Sequence, residues 1–339
     1  MKEKLKKHGW TIYITVASAA VLIIVFANTD IRSIGSAFKQ LRPVPTAGAG
    51  LCIAAYFCLR AVTTDYYLRL HGYRLSMREL LGVTGTGEFY SAVTPSASGG
   101  QPAQVVRLVR CGVPASVGTA CMSIKFVGFQ LAYLALGAVL WLGQWDEVAA
   151  HLYGFRWLVG LGFLLNLGLV GLVLLTIPRS RLLERLSGFA VGVLARIHVL
   201  RDPEKALSRF LGAVQEYRDA LRQLFSRPRS AAVLLLLSLA EALCYFGMPV
   251  MLCHAFGLTG TADILVLTLH VLLFVASAFL PLPGAAGASE SGFCIFLAGV
   301  YPADDIAAAM LCWRFFSYYL LLLLGFAAMT AGKRGKKEV

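Results

Sequence analysis

The sequence predicts an all-α polytopic membrane protein: six full spans and two re-entrant helical hairpins, arranged as an inverted repeat. Three observations predict it. Hydrophobic residues make up 58% of the 339-residue chain and charged residues only 14%, where a soluble domain carries about 25%; mean hydropathy is +0.70. Several apolar runs approach or exceed the ~20 residues that a spanning helix needs. Two apolar stretches are also broken in the same way, by Thr94-Pro95-Ser96-Ala97-Ser98-Gly99-Gly100-Gln101-Pro102 and by Leu282-Pro283-Gly284-Ala285-Ala286-Gly287-Ala288-Ser289-Glu290.

Both breaks contain Pro-x-x-x-Gly, and each is followed, 19 residues after its first proline, by a Pro-Ala pair, Pro114-Ala115 and Pro302-Ala303. A long apolar helix then begins and carries one cation near its middle, Lys125 in the first case and Arg314 in the second. Backbone freed by Pro and Gly cannot face lipid, because unpaired N–H and C=O groups cost several kcal/mol there. Matching interruptions in two halves point to a transporter-type site near the bilayer midplane.

The elements follow in order. Residues 10–27 form the first span, and Lys2, Lys4, Lys6 and Lys7 before it place the N-terminus in the cytoplasm. Ala17-Ser18-Ala19 imitates a signal-peptide cleavage site, but the apolar run continues through 27, so an uncleaved span is expected. A second span, 46–69, ends at Arg69, His71, Arg74 and Arg78. Residues 80–93 and 98–109 are each too short to cross. With Arg107 and Arg110 behind them, they form a hairpin over 80–110 that enters and leaves on the cytoplasmic face. The span 115–142 ends at acidic, external Gln144-Trp145-Asp146-Glu147, and 157–177 returns to the cytoplasm.

Residues 178–229 hold 11 Lys/Arg against 5 Asp/Glu. Asp202-Pro203 reads as an N-cap with Pro at the first helical position. Leu207, Leu211, Val214, Tyr217, Leu221 and Phe225 recur at helical spacing, which predicts a cytoplasmic amphipathic helix on the membrane or the bundle. A span at 230–256, an external turn at 257–263, a second hairpin over 264–300 beside Asp304-Asp305, and a last span at 305–330 complete the chain. Lys333, Arg334, Lys336 and Lys337 place the C-terminus in the cytoplasm. The organisation is thus a first repeat over 1–142, the start of a second at 143–177, the basic segment 178–229, and the remainder of the second repeat over 230–339. Counting hairpin arms as helices gives about eight predicted spans. One loop runs against the charge rule: Arg32, Lys39 and Arg42 face Asp30 alone in a segment assigned outside.

The net charge of +13 does not indicate nucleic acid, because most cations flank apolar runs, where they set topology and meet anionic lipid. Eight cysteines form no Cys-x-x-Cys pair and six histidines no cluster, so no metal and no cofactor are expected. Ionisable groups within spans are functional candidates by default: Arg60, Asp65, Glu88, Lys125, Glu241, Glu290 and Arg314. Structural ion pairing is the plainer alternative for each. The functional alternative is a polar cavity for a phosphate-bearing lipid headgroup. Lys125, Arg60 and Arg314 supply charge; Thr94, Ser98, Gln101 and Gln104 supply hydrogen bonds; Glu88 and Glu290 flank the tips. Gly99, Gly100, Gly284 and Gly287 allow close backbone approach, and helix N-termini at the hairpin tips favour anions. His254 and His270 read as helix-end or interfacial residues. No catalytic motif is present.

Gly87-Glu88-Phe89 through Thr94–Gln104, with Gly112-Val113-Pro114 behind it, resembles the signature of the lysylphosphatidylglycerol synthase transmembrane region, a flippase-like family. Its best-known member is the multiple peptide resistance factor of bacteria. Leu282-Pro283-Gly284 with Gly287 and Glu290 is similar to its C-terminal motif. In full-length relatives a soluble domain transfers lysine from charged tRNA to phosphatidylglycerol, and the membrane part is implicated in moving the product. The chain ends at Val339 shortly after its last span, so the resemblance implies a stand-alone flippase-type module in the bacterial cytoplasmic membrane. Its expected cargo is an anionic or aminoacylated phospholipid such as lysyl-phosphatidylglycerol. Three alternatives stay open. The chain carries a polyprenyl-phosphate; it docks a separately encoded soluble aminoacyltransferase as a membrane subunit; or it is a lysyltransferase itself. A homo-oligomer is compatible with each.

Overall fold

In the computed structural model, the residues described are 41–94, 97–152, 154–175, 212, 215–217, 219, 226–258, 263–277 and 287–331. The expected first span, the Asp202-Pro203 cap, the tip around Gly284 and the basic C-terminus lie outside them. Among the described residues the regular structure is helical. The helices are α1 (Pro43–Leu70), α2 (Met77–Val93), α3 (Gly100–Arg110), α4 (Ala115–Gly143), α5 (Trp145–His151), α6 (Arg156–Leu175), α7 (Pro228–Ala255), α8 (Asp263–Ser277), α9 (Ala288–Phe296), α10 (Ile306–Arg314) and α11 (Leu320–Ala331).

Among the described residues, five helical runs are long and apolar enough to cross a bilayer: α1, α4, α6, α7 and the continuous stretch Ile306–Ala331. Their outward faces carry Leu51, Leu142, Leu164, Leu172, Leu236 and Leu323, all more than half exposed. That suits a hydrocarbon solvent and not water. The last run is not one uniform α-helix. Phe315–Tyr319 forms a π-helical turn directly after Arg314, a distortion often found at functional sites.

Helix α3 is too short to cross, its 11 residues rising only about 16 Å at 1.5 Å each, and α2 has 17 residues. Ser76 starts α2 by capping it, its Oγ accepting from Glu79 N–H at 3.3 Å while Glu79 Oε2 accepts from Ser76 N–H at 2.9 Å. At the turn, Thr94 Oγ1 donates to Tyr90 O and accepts from Gly99 N–H. Helix α2 then packs along α11, where Gly85 and Gly325 meet. A Cβ on Gly85 would lie 2.6 Å from Gly325 O, and one on Gly325 would lie 2.9 Å from Gly85 O. Small residues let two backbones approach where apolar burial gives little drive in lipid.

Contacts sort the helix ends into two groups. At one end, Arg78 donates to Ala331 O at 2.8 Å and Arg107 to Met329 O at 3.0 Å, so the base of the α2–α3 hairpin caps the end of α11. A core of Tyr67, Leu68, Leu80, Leu108, Val113 and Leu234 lies at this end. Ser116 also donates here to Glu216 Oε2 at 2.6 Å, tying the basic segment to the start of α4. At the other end, Arg42 N–H reaches Ala255 O at 2.9 Å, Gln144 reaches Thr268 Oγ1 at 2.7 Å, and the Phe256 and Tyr301 rings meet edge-on. Helix α8 begins there and Tyr301, after α9, ends there. The two short-helix pairs therefore have their bases at opposite ends of the bundle.

Candidate functional site

A cavity of about 370 Å³ lies where α1, α4, α7, α8 and α10 meet the α2–α3 hairpin. Its polar wall carries Arg60, Gln101, Gln104, Lys125, His270 and Arg314. The rest is largely aromatic: Phe129 and Tyr133 from α4, Tyr245 and Phe246 from α7, Phe274 from α8, and Trp313 beside Arg314.

The charges are arranged in pairs. Arg60 Nε lies 2.9 Å from Glu88 Oε1, and Arg60 Nη1 donates to Tyr56 Oη at 2.9 Å. Arg314 Nε lies 2.6 Å from Glu290 Oε1 and its guanidinium sits over the Tyr318 ring at 5.1 Å. Glu241, 1% exposed, accepts the Thr63 hydroxyl. Lys125 differs: its Nζ donates to Arg60 O at 2.7 Å and Thr64 Oγ1 at 2.6 Å, both neutral acceptors. Among the described residues no carboxylate stands within ion-pair distance of it. Lys125 is thus a buried cation positioned on the cavity wall by neutral groups.

At the first hairpin tip, three backbone donors are engaged within the protein. Gly99 N–H is held by Thr94 Oγ1, Gly100 N–H by Ala97 O and Ala103 N–H by Gly99 O. At the second element, Gly287 N–H donates to Glu290 Oε2 at 2.6 Å. These donors are satisfied inside the protein, Gly99 and Gly287 by side chains and Gly100 and Ala103 by backbone carbonyls. The corresponding role of Gly100 is packing between hairpin arms: a Cβ there would lie 1.9 Å from Ser91 Oγ and 2.8 Å from Gly87 O. Ala97, with φ 54°, takes the left-handed turn.

Of the residues singled out from the sequence, the structure brings Arg60, Gln101, Gln104, Lys125 and Arg314 to one cavity. Glu88 and Glu290 stand behind it as partners of the two arginines. Thr94, Gly99 and Gly100 build the first tip and its packing, Ser98 is exposed there, and Gly287 opens α9 with φ 82°. Sequence reasoning missed Ser317 in the π turn and the aromatic wall. It also placed His270 at a helix end or interface, whereas His270 is 3% exposed within α8 on the cavity wall. Its ionisable ring inside an apolar helix was the available signal. His254 does stand at a helix end, with Nε2 2.7 Å from Asp263 Oδ1.

Comparison with known proteins supports a membrane protein. A "UPF0104 membrane protein" of Archaeoglobus fulgidus is 24% identical over 317 residues, covering 91% of this chain and 93% of that protein. The family described as the lysylphosphatidylglycerol synthase TM region matches residues 10–325, from before the described helices into α11. With its apolar spanning helices, its broken Thr94–Pro102 segment and a match over nearly the whole chain, this is a multi-pass membrane protein that belongs to the lysylphosphatidylglycerol synthase TM region family.

Proposed function

We propose that the chain is a lipid translocator, moving an anionic or aminoacylated phospholipid across the bilayer with the headgroup phosphate passing through the Lys125 cavity. The observation that carries this reading is Lys125 itself, a buried cation held by Arg60 O and Thr64 Oγ1 at 2.7 and 2.6 Å in a cavity of about 370 Å³. A phosphate oxygen offers such an ammonium its strongest hydrogen-bond partner. The opposite placement of the two short-helix pairs supports an inverted repeat, the architecture that puts a substrate site at the membrane centre. The family match is to a membrane region, which supports reading this chain as a transporter and not a lysyltransferase.

The test is reconstitution. Purified protein in vesicles containing acyl-labelled phosphatidylglycerol should expose inner-leaflet label to a membrane-impermeant quencher faster than protein-free vesicles. Lys125→Met should slow that exchange while keeping the fold. Wild-type vesicles that match protein-free ones would remove the reading.

A further inference from the structure

Three polar side chains on the cavity wall, each at least nine-tenths buried, carry an atom with no hydrogen-bond partner among the described residues: Gln104 Nε2, His270 Nε2 and Ser317 Oγ. Buried polar atoms are paired in the great majority of cases, so each orphan calls for an explanation. His270 is the most informative. Its Nδ1 lies 2.9 Å from Val266 O. A carbonyl oxygen only accepts, so Nδ1 carries the proton and donates. In the neutral ring Nε2 is then a bare lone pair, an acceptor. The ring cannot turn to hide it without losing Val266, and it is wedged against Phe293 at 5.5 Å and Trp313 at 6.1 Å.

The cavity is therefore two-sided. Lys125 and Arg60 with the α3 glutamines line it from the first half, and His270 lines it from the second, with its unpaired Nε2 buried in the wall. We propose that His270 sets headgroup specificity: the lipid must carry, besides its phosphate, an O–H or N–H donor that His270 Nε2 accepts. This rests on the lipid-translocation reading above. Trp313, Tyr245 and Phe274 favour a cationic group whether or not it is fully methylated, so the aromatic wall alone does not discriminate. A fully methylated ammonium has no donor and leaves the His270 lone pair buried and unpaired.

Phosphatidyl-N,N-dimethylethanolamine and phosphatidylcholine differ by one methyl, and only the first keeps an N–H. Both are acyl-labelled and their inner-leaflet label is followed in vesicles holding the full chain. The dimethyl lipid should move about tenfold faster, the effect of one buried hydrogen bond of about 1.4 kcal/mol. His270→Phe should bring the ratio near one by slowing the dimethyl lipid, and His270→Gln, whose amide oxygen accepts, should restore part of it. Equal movement of both lipids by the wild type, faster phosphatidylcholine, or an unchanged ratio in folded His270→Phe overturns the proposal and leaves translocation standing. Movement of neither lipid, nor of phosphatidylglycerol, above protein-free vesicles removes both readings together.

Discussion

The Tyr318 hydroxyl donates to the carbonyl of Ala92 at 2.9 Å, joining residues 226 apart in sequence. Ala92 lies in the last turn of α2, where helical carbonyls lack an intrahelical partner. Tyr318 lies in the π turn, with its ring beneath the Arg314 guanidinium. Arg314 in turn binds Glu290, which caps α9 through Gly287 N–H. One chain of contacts thus runs from α2 to α9.

Tyr318→Phe deletes the link and leaves the Ala92 carbonyl without that donor. A loss of about 1–2 kcal/mol is expected, visible as a lower unfolding temperature in detergent. An unchanged temperature would show that the bond contributes nothing.

The Arg314–Glu290 pair lends itself to a double-mutant cycle. Arg314→Met alone strands a carboxylate whose side chain is 28% exposed, so its cost should fall below the roughly 3–5 kcal/mol of a fully buried broken pair. Adding Glu290→Gln should recover much of that stability. Lipid movement should stay impaired in the double variant; its full return would reduce the pair to a structural role.

Close packing of α2 on α11 predicts a sharp contrast among glycines. Gly85→Ala and Gly325→Ala each force a Cβ to within 3 Å of a backbone oxygen and should destabilise by roughly 1–3 kcal/mol. At Gly168 and Gly171, a Cβ would meet nothing within 4 Å, and alanine should be tolerated. Thermal unfolding of the four variants side by side decides it.

The inverted-repeat proposal predicts labelling from opposite faces. Arg110 and Asp304 are both exposed, near the bases of the two short-helix pairs. In a background free of native thiols, Arg110→Cys and Asp304→Cys should react with an impermeant reagent from opposite sides of the membrane. Reaction of both from one side would remove the repeat.

Gly100 shows where sequence reasoning reaches its limit. Its Pro-Gly context marks a turn, because a helix breaker acts on its own backbone wherever it sits. Whether its missing side chain makes room for a ligand or for a neighbouring helix depends on what lies opposite, and Ser91 Oγ and Gly87 O lie there. The same division runs through the site.

By itself the sequence determined the helical membrane class and the positions of the breaks. It also marked Arg60, Lys125 and Arg314 as ions inside apolar helices. Those features follow from local hydrophobic length and backbone chemistry. Only the tertiary structure decided that Glu88 and Glu290 neutralise the two arginines, that Lys125 is left to neutral acceptors, and that His270 joins the cavity. Pairing at 3 Å is a property of helices brought together: Thr63 meets Glu241 across 178 residues. The π turn at Phe315–Tyr319 was equally hidden, because one shifted ring of hydrogen bonds in an apolar helix is selected by the packing around it, not by any residue that breaks the helix.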